Sequence, residues 1–270
     1  MRCRGSGSTR LLIVKVGGSV ITRKDGEATP KLERMARVAA EISEVKDRLV
    51  LIHGAGSYGH PIAARYELHR GFAGDWQLAG VSELKAKLAE LNSLFLGALS
   101  KRGVAAFPLN PASIITTYEG RLTHMNIEPL KTLLDLGFTP MLHGDLVLDL
   151  AKGFSIVSGD QIASYMAERL RPSMVIFGCD VDGVYTGDPK RDRNARLIAS
   201  MKVGDVKALC SLASSAHGLR DVTGGFMGKL REASHIAELG IPVAIVNLDA
   251  EGRLLKVIRG EKVRCTLITP

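Results

Sequence analysis

The sequence predicts an α/β fold built on a mostly parallel sheet. Short apolar runs rich in Val, Ile and Leu recur along all 270 residues. They are apolar throughout rather than alternating, as strands covered on both faces must be. Amphipathic helical patterns fill the gaps, and strand–helix alternation is the signature of parallel pairing with crossovers.

In chain order, LLIVKV (11–16) and RLVLIH (48–53) read as the first two strands. Residues 81–99 are the clearest helix, because Val81, Leu84, Leu88, Leu91, Phe95 and Ala98 recur at three- and four-residue steps and share one face. VAAF (104–107) and FTPML (138–142) follow as strands. TTYEGRLTH (116–124) and DLVLDLAKGFSIV (145–157) read as hairpins decorating the sheet, with Glu119-Gly120 and Lys152-Gly153 as turns. A helix opens near residue 160, then MVIFG (174–178) is a strand. A helix over 225–240 ends at Gly240 with Pro242 beyond, before the strand VAIVN (243–247).

The hydrophobic content of 46% supports one large domain or two tightly joined lobes. The opening residues MRCRGSGSTR read as a flexible leader over 1–9, since LLIVKV is too short for a signal peptide. No apolar run approaches the ~18 residues that span a bilayer. Cys3, Cys179, Cys210 and Cys265 form no C-x-x-C and no zinc spacing with the seven histidines. This predicts a reduced, cytoplasmic protein without a structural metal. The net charge of +8 is dispersed and aromatics are 5%. That favours small polyanions such as nucleotides over nucleic acid, which wants clustered charge and stacking residues.

Ligands of such sheets collect where strands end, so the residues after each strand decide the chemistry. Strand one ends in Lys15-Val16-Gly17-Gly18-Ser19, strand two in His53-Gly54-Ala55-Gly56-Ser57-Tyr58-Gly59-His60. Ser158-Gly159-Asp160 precedes one helix and Thr223-Gly224-Gly225-Phe226-Met227-Gly228-Lys229 another. Glycine lets backbone N–H groups approach phosphate oxygens, and Lys15, Lys24 and Lys229 lie close by. Any one of these turns alone is ordinary turn chemistry; four together point to a phosphate site. GAGSYG (54–59) formally matches the dinucleotide fingerprint G-x-G-x-x-G. It follows the second strand, however, and the acid at Asp75 does not end a strand, so the dinucleotide reading fails on context. No P-loop motif exists either.

Together, KVGGSVITRK (15–24), HGAGSYGH (53–60), HGDLVLD (143–149), SGDQIA (158–163), CDVDGVYTGDP (179–189) and DVTGGFMGK (221–229) resemble the amino acid kinase superfamily. The histidine closing HGAGSYGH and the lysine closing GGSVITRK are most similar to its isopentenyl phosphate kinase branch and the neighbouring fosfomycin kinases. The resemblance covers about residues 10–270. It implies an open three-layer α/β/α sandwich, with a lobe over 10–172 holding the phosphate acceptor and a lobe over 173–270 holding ATP. It implies transfer of the γ-phosphoryl of ATP to isopentenyl phosphate in an archaeal-type mevalonate route, by a soluble homodimer. Magnesium would be carried by ATP oxygens and water rather than by a protein cage. The acceptor is a phosphate monoester whose second pKa is near ~6, so it is already ionised and needs no general base.

The same resemblance assigns Lys15 and Lys229 to the donor phosphates, with backbone contacts from Gly17, Gly18, Ser19, Gly56 and Gly225. Lys24 would stabilise the transition state, and His60 would bond the acceptor phosphate near Ala55, Gly59 and Gly159. Asp160 would orient Lys15. Asp180, Tyr185 and Lys190 would belong to the nucleotide pocket. Two positions depart from the pattern: Cys179 stands where relatives carry Ser or Thr, and His143 replaces a Tyr. Read without the motif, His60 is a helix cap, Lys24 and Lys229 are solvated lysines, and Asp180 and Asp182 are turn acids. Alternative acceptors on the same fold are fosfomycin, UMP or an amino acid carboxylate, and a non-catalytic nucleotide sensor is a further alternative.

Overall fold

A computed structural model describes residues 10–187, 192, 194–215 and 224–270. The expected leader at 1–9, Lys190 and residues 221–223 lie outside the described residues. Strand β1 (Leu11–Val16) leads through the short helix α1 (Gly18–Ile21) and α2 (Leu32–Ser43) to β2 (Arg48–His53). Next come α3 (His60–Arg65), α4 (Leu78–Ser100), β3 (Ala106–Pro108), β4 (Ile115–Tyr118), β5 (Arg121–Met125) and α5 (Glu128–Asp135). Then follow β6 (Thr139–His143), β7 (Asp145–Asp149), β8 (Gly153–Val157), α6 (Gly159–Leu170) and β9 (Met174–Cys179). The last elements are β10 (Ser200–Lys202), α7 (Val203–Ser215), α8 (Gly224–Glu238), β11 (Val243–Asn247), α9 (Arg253–Arg259) and β12 (Cys265–Thr269).

Eight strands form the central sheet in the order β10-β12-β11-β9-β1-β2-β6-β3, parallel except where β12 runs against β11. Successive side chains of β1 alternate between two cores. Ile13 joins Val50, Ile52, Phe177 and Ile245 beneath α6 and α8, through Ile162, Met166, Leu230 and Ala233. Leu12 and Val14 join Leu51, Ile176 and Val246 beneath α2, α4 and α9, through Met35, Val38, Leu91, Phe95 and Ile258. Both faces are therefore covered, which is why β1, β2, β9 and β11 read as nearly continuous apolar runs. The result is the expected three-layer α/β/α sandwich.

Two expectations change in detail. The strand expected at 104–107 is the short edge strand Ala106–Pro108, because Gly103 turns the chain at φ +72° and the Val104 amide still bonds the Leu99 carbonyl of α4. The two hairpins are not separate decorations. They join in a second sheet, β5-β4-β7-β8, through parallel pairing of β4 with β7. Asp149 explains the union: its carboxylate accepts from the amides of Gly120 (2.7 Å), Ala151 and Lys152 (both 2.9 Å), so one side chain satisfies the turns of both hairpins. Glu119 and Gly120 sit at φ +49° and +80°, as a tight two-residue hairpin turn requires.

Candidate phosphoryl-transfer site

Strands β1, β2, β6 and β9 end level with one another, with Val16 beside His53, His53 beside His143 and Val16 beside Gly178. The turns after them pack backbone against backbone. The Gly17 amide bonds the Gly178 carbonyl at 2.7 Å, and the Gly54 amide bonds the Val16 carbonyl at 2.9 Å. A methyl group on Gly18 would lie 2.6 Å from the Gly56 Cα, so only glycine allows these two turns to touch. Gly159, opening α6, is less crowded but still tight: a methyl there would stand 3.1 Å from the Lys15 Cε. Three of the four glycine turns singled out in the sequence thus meet at one edge of the sheet. Gly225 stands exposed in the first turn of α8, with open space where a side chain would be.

Lys15 lies inside β1, in register with Ile52 and Phe177, and is buried. A buried ammonium needs a partner. Asp160 supplies it from the first turn of α6, which is fixed by Ser158 accepting the Gln161 amide at 3.1 Å. Lys15 Nζ lies 2.8 Å from Asp160 Oδ1, and Lys229 Nζ, from α8, lies 3.0 Å from the same oxygen and 3.1 Å from Oδ2. Lys229 also sits over the Phe177 ring, 4.8 Å from its centre. Burial works against ionising Asp160, yet the two ammonium groups outweigh it and hold the carboxyl at about 2. Burial, and then the Lys229 charge, lower the Lys15 pKa against the pull of Asp160. Two cations share one anion, so the cluster keeps a surplus of positive charge at the foot of the glycine turns.

The remaining expected residues divide: His60 lies within the field of Lys15, whereas Lys24, Asp180 and Tyr185 make their contacts in a second group beyond β9. His60 opens α3 at its first helical position and Gly59 takes the cap position, so His60 is not a helix cap. Its imidazole faces solvent, but partial desolvation and then the Lys15 charge lower its pKa, which puts the ring within the field of the buried lysine. Ala55 and Gly59 form the turn beneath it: a methyl on Gly59 would collide with the Ala55 Cβ at 2.6 Å. Lys24 and Ser19 both engage Asp180, at 2.7 Å and 3.0 Å. Tyr185 donates its hydroxyl to Asp182 at 3.2 Å, and Asp182 is further held by Arg253 and Arg264 at 2.5 Å and 2.9 Å. Both Asp180 and Asp182 are thus tied down rather than being free turn acids.

Three features escaped sequence reasoning. His53 is buried, stacked on His143 at 5.3 Å, and bonded to Asn92 at 3.1 Å. Burial, and then the His143 charge, push the His53 pKa down to about 4. Lys85 of α4 donates to both Asp145 oxygens, at 2.7 Å and 2.6 Å, and to the Leu146 carbonyl at 2.8 Å. A lysine between Leu84 and Leu88 was the available signal. Finally, the apolar face of α4 divides. Leu91, Phe95 and Leu99 belong to the core under the main sheet, whereas Leu84 and Leu88 pack with Ile62, Leu146 and Phe154 in a separate cluster beside Gly59.

The amino acid kinase family model matches residues 10–247. The chain belongs to the amino acid kinase family. Among relatives in this family, it is 38% identical to an isopentenyl phosphate kinase of Methanothermobacter thermautotrophicus, over 96% of this chain and 99% of that one. An isopentenyl phosphate kinase solved by X-ray crystallography superposes with a TM-score of 0.83 at 34% identity, covering 96% of this chain and all of the other. A product complex of the T. acidophilum isopentenyl phosphate kinase superposes with a TM-score of 0.79 at 26% identity, covering 96% and 99%. Kinases of this family use ATP as donor with magnesium as its usual partner. Both Asp160 oxygens are taken by lysines, so an ion at this site would be held through the donor phosphates rather than by that carboxylate. Among the described residues no helix is long and apolar enough to cross a membrane.

Proposed function

We propose that this amino acid kinase family member transfers the γ-phosphoryl group of ATP to isopentenyl phosphate, giving isopentenyl diphosphate and ADP, in an archaeal-type mevalonate route. The observation that carries the reading is the pair of buried lysines on Asp160, set beside His60 and an apolar cluster. A polyanion needs the first, a phosphate acceptor the second, and a prenyl tail the third. The names of the relatives support the same substrate.

Residues 10–172 would hold the acceptor and 173–270 the nucleotide. Lys15 and Lys229, with the amides of Gly17, Gly18, Ser19, Gly56 and Gly225, receive the donor phosphates. Asp160 keeps both ammonium groups in place. His60 donates an N–H to the acceptor phosphate above Ala55, Gly59 and Gly159. An acceptor oxygen forms its bond to the γ-phosphorus as the β–γ bridging P–O bond breaks, and ADP leaves with that electron pair. No proton moves, because the dianion is already the nucleophile. Catalysis reduces to alignment and charge neutralisation, with Lys24 placed to meet charge on the transferred group. When bound, magnesium supplies further neutralisation of the phosphate oxygens. The prenyl tail enters the cluster of Leu84 and Leu88. The working unit is a cytoplasmic homodimer, which light scattering after size exclusion tests.

A coupled ADP-release assay with isopentenyl phosphate, fosfomycin, UMP and acetylglutamate tests the acceptor. Turnover with the first and little with the rest is expected; turnover only with another acceptor overturns the assignment.

A further inference from the structure

Lys24 is the one of the three lysines that has no buried seat. Its side chain is 68% exposed, in a loop closed by the bridge between Thr22 and Pro30. A lysine there carries a flexible four-carbon stem with roughly 2 kcal/mol of rotamer entropy, so a partner must select its position. Asp180, just beyond β9, is that partner. Its Oδ2 lies 2.7 Å from Lys24 Nζ, and its Oδ1 accepts the Ser19 hydroxyl at 3.0 Å. Ser19 is itself fixed, because its carbonyl accepts from Lys31 Nζ at 2.6 Å. The chain therefore runs from the glycine turn after β1, through one carboxylate, to the loop lysine. The pair stands on the wall of a cavity of about 680 Å³ that is also lined by Arg23, Lys31 and Arg34, with Asp25 and Glu33.

We infer that Asp180 is a positioning residue for Lys24: with Ser19 holding its other oxygen, it aims the ammonium at the phosphoryl group in flight, rather than contacting the nucleoside. This deepens the proposed function and rests on it for the role of Lys24. The ion pair is partly exposed and weakly bound, so an incoming phosphate oxygen can share or take the ammonium without a large barrier. Burial opposes ionising Asp180, and the bond to Lys24 overcomes it and lowers its pKa, so the carboxylate is charged and able to hold Lys24 at neutral pH.

Two measurements test this. The first is independent of the substrate: acetic anhydride labelling of the ligand-free protein, read by peptide mass spectrometry. Asp180→Asn is expected to speed labelling of Lys24 about two- to fivefold, the range an exposed ion pair protects; an unchanged rate overturns the inference. The second is steady-state kinetics with isopentenyl phosphate. Asp180→Asn should lower kcat roughly tenfold with both KM values within about twofold, Asp180→Glu should recover part of the loss, and Asp180→Asn should cost nothing further in a Lys24→Ala background. Losses that multiply in the double variant, or a raised KM for ATP with kcat intact, overturn it and return Asp180 to the nucleotide pocket. If the wild type fails to turn over isopentenyl phosphate, the acceptor assignment falls, while the labelling result still decides whether Asp180 holds Lys24.

Discussion

Lys15 and Lys229 approach one oxygen of a single carboxylate, Oδ1 of Asp160, at 2.8 Å and 3.0 Å. One lysine is built into the central strand β1 and the other into helix α8, so the carboxylate of α6 joins two elements that lie more than 200 residues apart in the chain.

Asp160→Asn leaves two buried ammonium groups without an anion, and is expected to cost roughly 3–5 kcal/mol of stability at neutral pH. The sign with pH is fixed. The folded value of about 2 lies below the ordinary 3.8, so this stabilisation is present above about pH 4 and disappears as pH falls through about 2. Urea titrations of wild type and variant should therefore differ at pH 7 and converge in acid. Lys229→Ala keeps Lys15 on Asp160 and should chiefly raise the KM for ATP; an effect confined to the acceptor KM contradicts the assignment.

His60→Ala should lower kcat/KM for isopentenyl phosphate roughly 100-fold, as loss of one fixed donor to a developing charge does. ATP affinity, measured by calorimetry, should stay within about twofold. Loss of ATP affinity instead would remove His60 from the acceptor side.

His53 must charge on unfolding in mild acid. Its folded pKa of about 4 lies below the ordinary 6.5, so the unfolded chain binds the extra proton between those values. Stability is retained above pH 6.5 and falls by up to roughly 3 kcal/mol on the way to pH 4. His53→Gln, which keeps a partner for Asn92, should flatten that part of the curve in denaturant titrations.

Leu88 stands 3.5 Å from the place a methyl group would occupy on Gly59, in the cluster assigned to the tail. Leu88→Ala should open that cluster and shift the kcat/KM ratio towards geranyl phosphate by about tenfold, since even one methylene group in such a pocket is worth about 1–3 kcal/mol. An unchanged ratio with both substrates would place the tail elsewhere.

Strands β1, β2, β6, β9 and β11 of the central sheet were legible because both of their faces are buried: Leu12 and Ile13 are apolar neighbours that enter opposite cores. Strands β10 and β12 were not, because their residues alternate between buried and more exposed positions and form no continuous apolar run. Gly18 and Gly56 were legible as turn glycines, and their close contact leaves no room for a side chain at either position. Lys15 and Asp160 were readable only through the family motif, because nothing local shows that a lysine of one strand meets an acid of a distant helix. The parallel pairing of β4 with β7 was hidden for the same reason: Asp149 reads as an ordinary turn acid until two hairpins are brought beside it. Lys85 and Asp145 were obscured because each sits in a run whose apolar period describes packing and does not say which of its charged residues turns inward.

The most direct test is a crystal structure with a non-hydrolysable ATP analogue and isopentenyl phosphate. Lys15 and Lys229 should then lie within ion-pair distance of the donor phosphates, with the His60 ring bonded to the acceptor phosphate between them and the Leu84–Leu88 cluster. An acceptor phosphate seated away from His60, or a triphosphate that meets neither buried lysine, would contradict this arrangement.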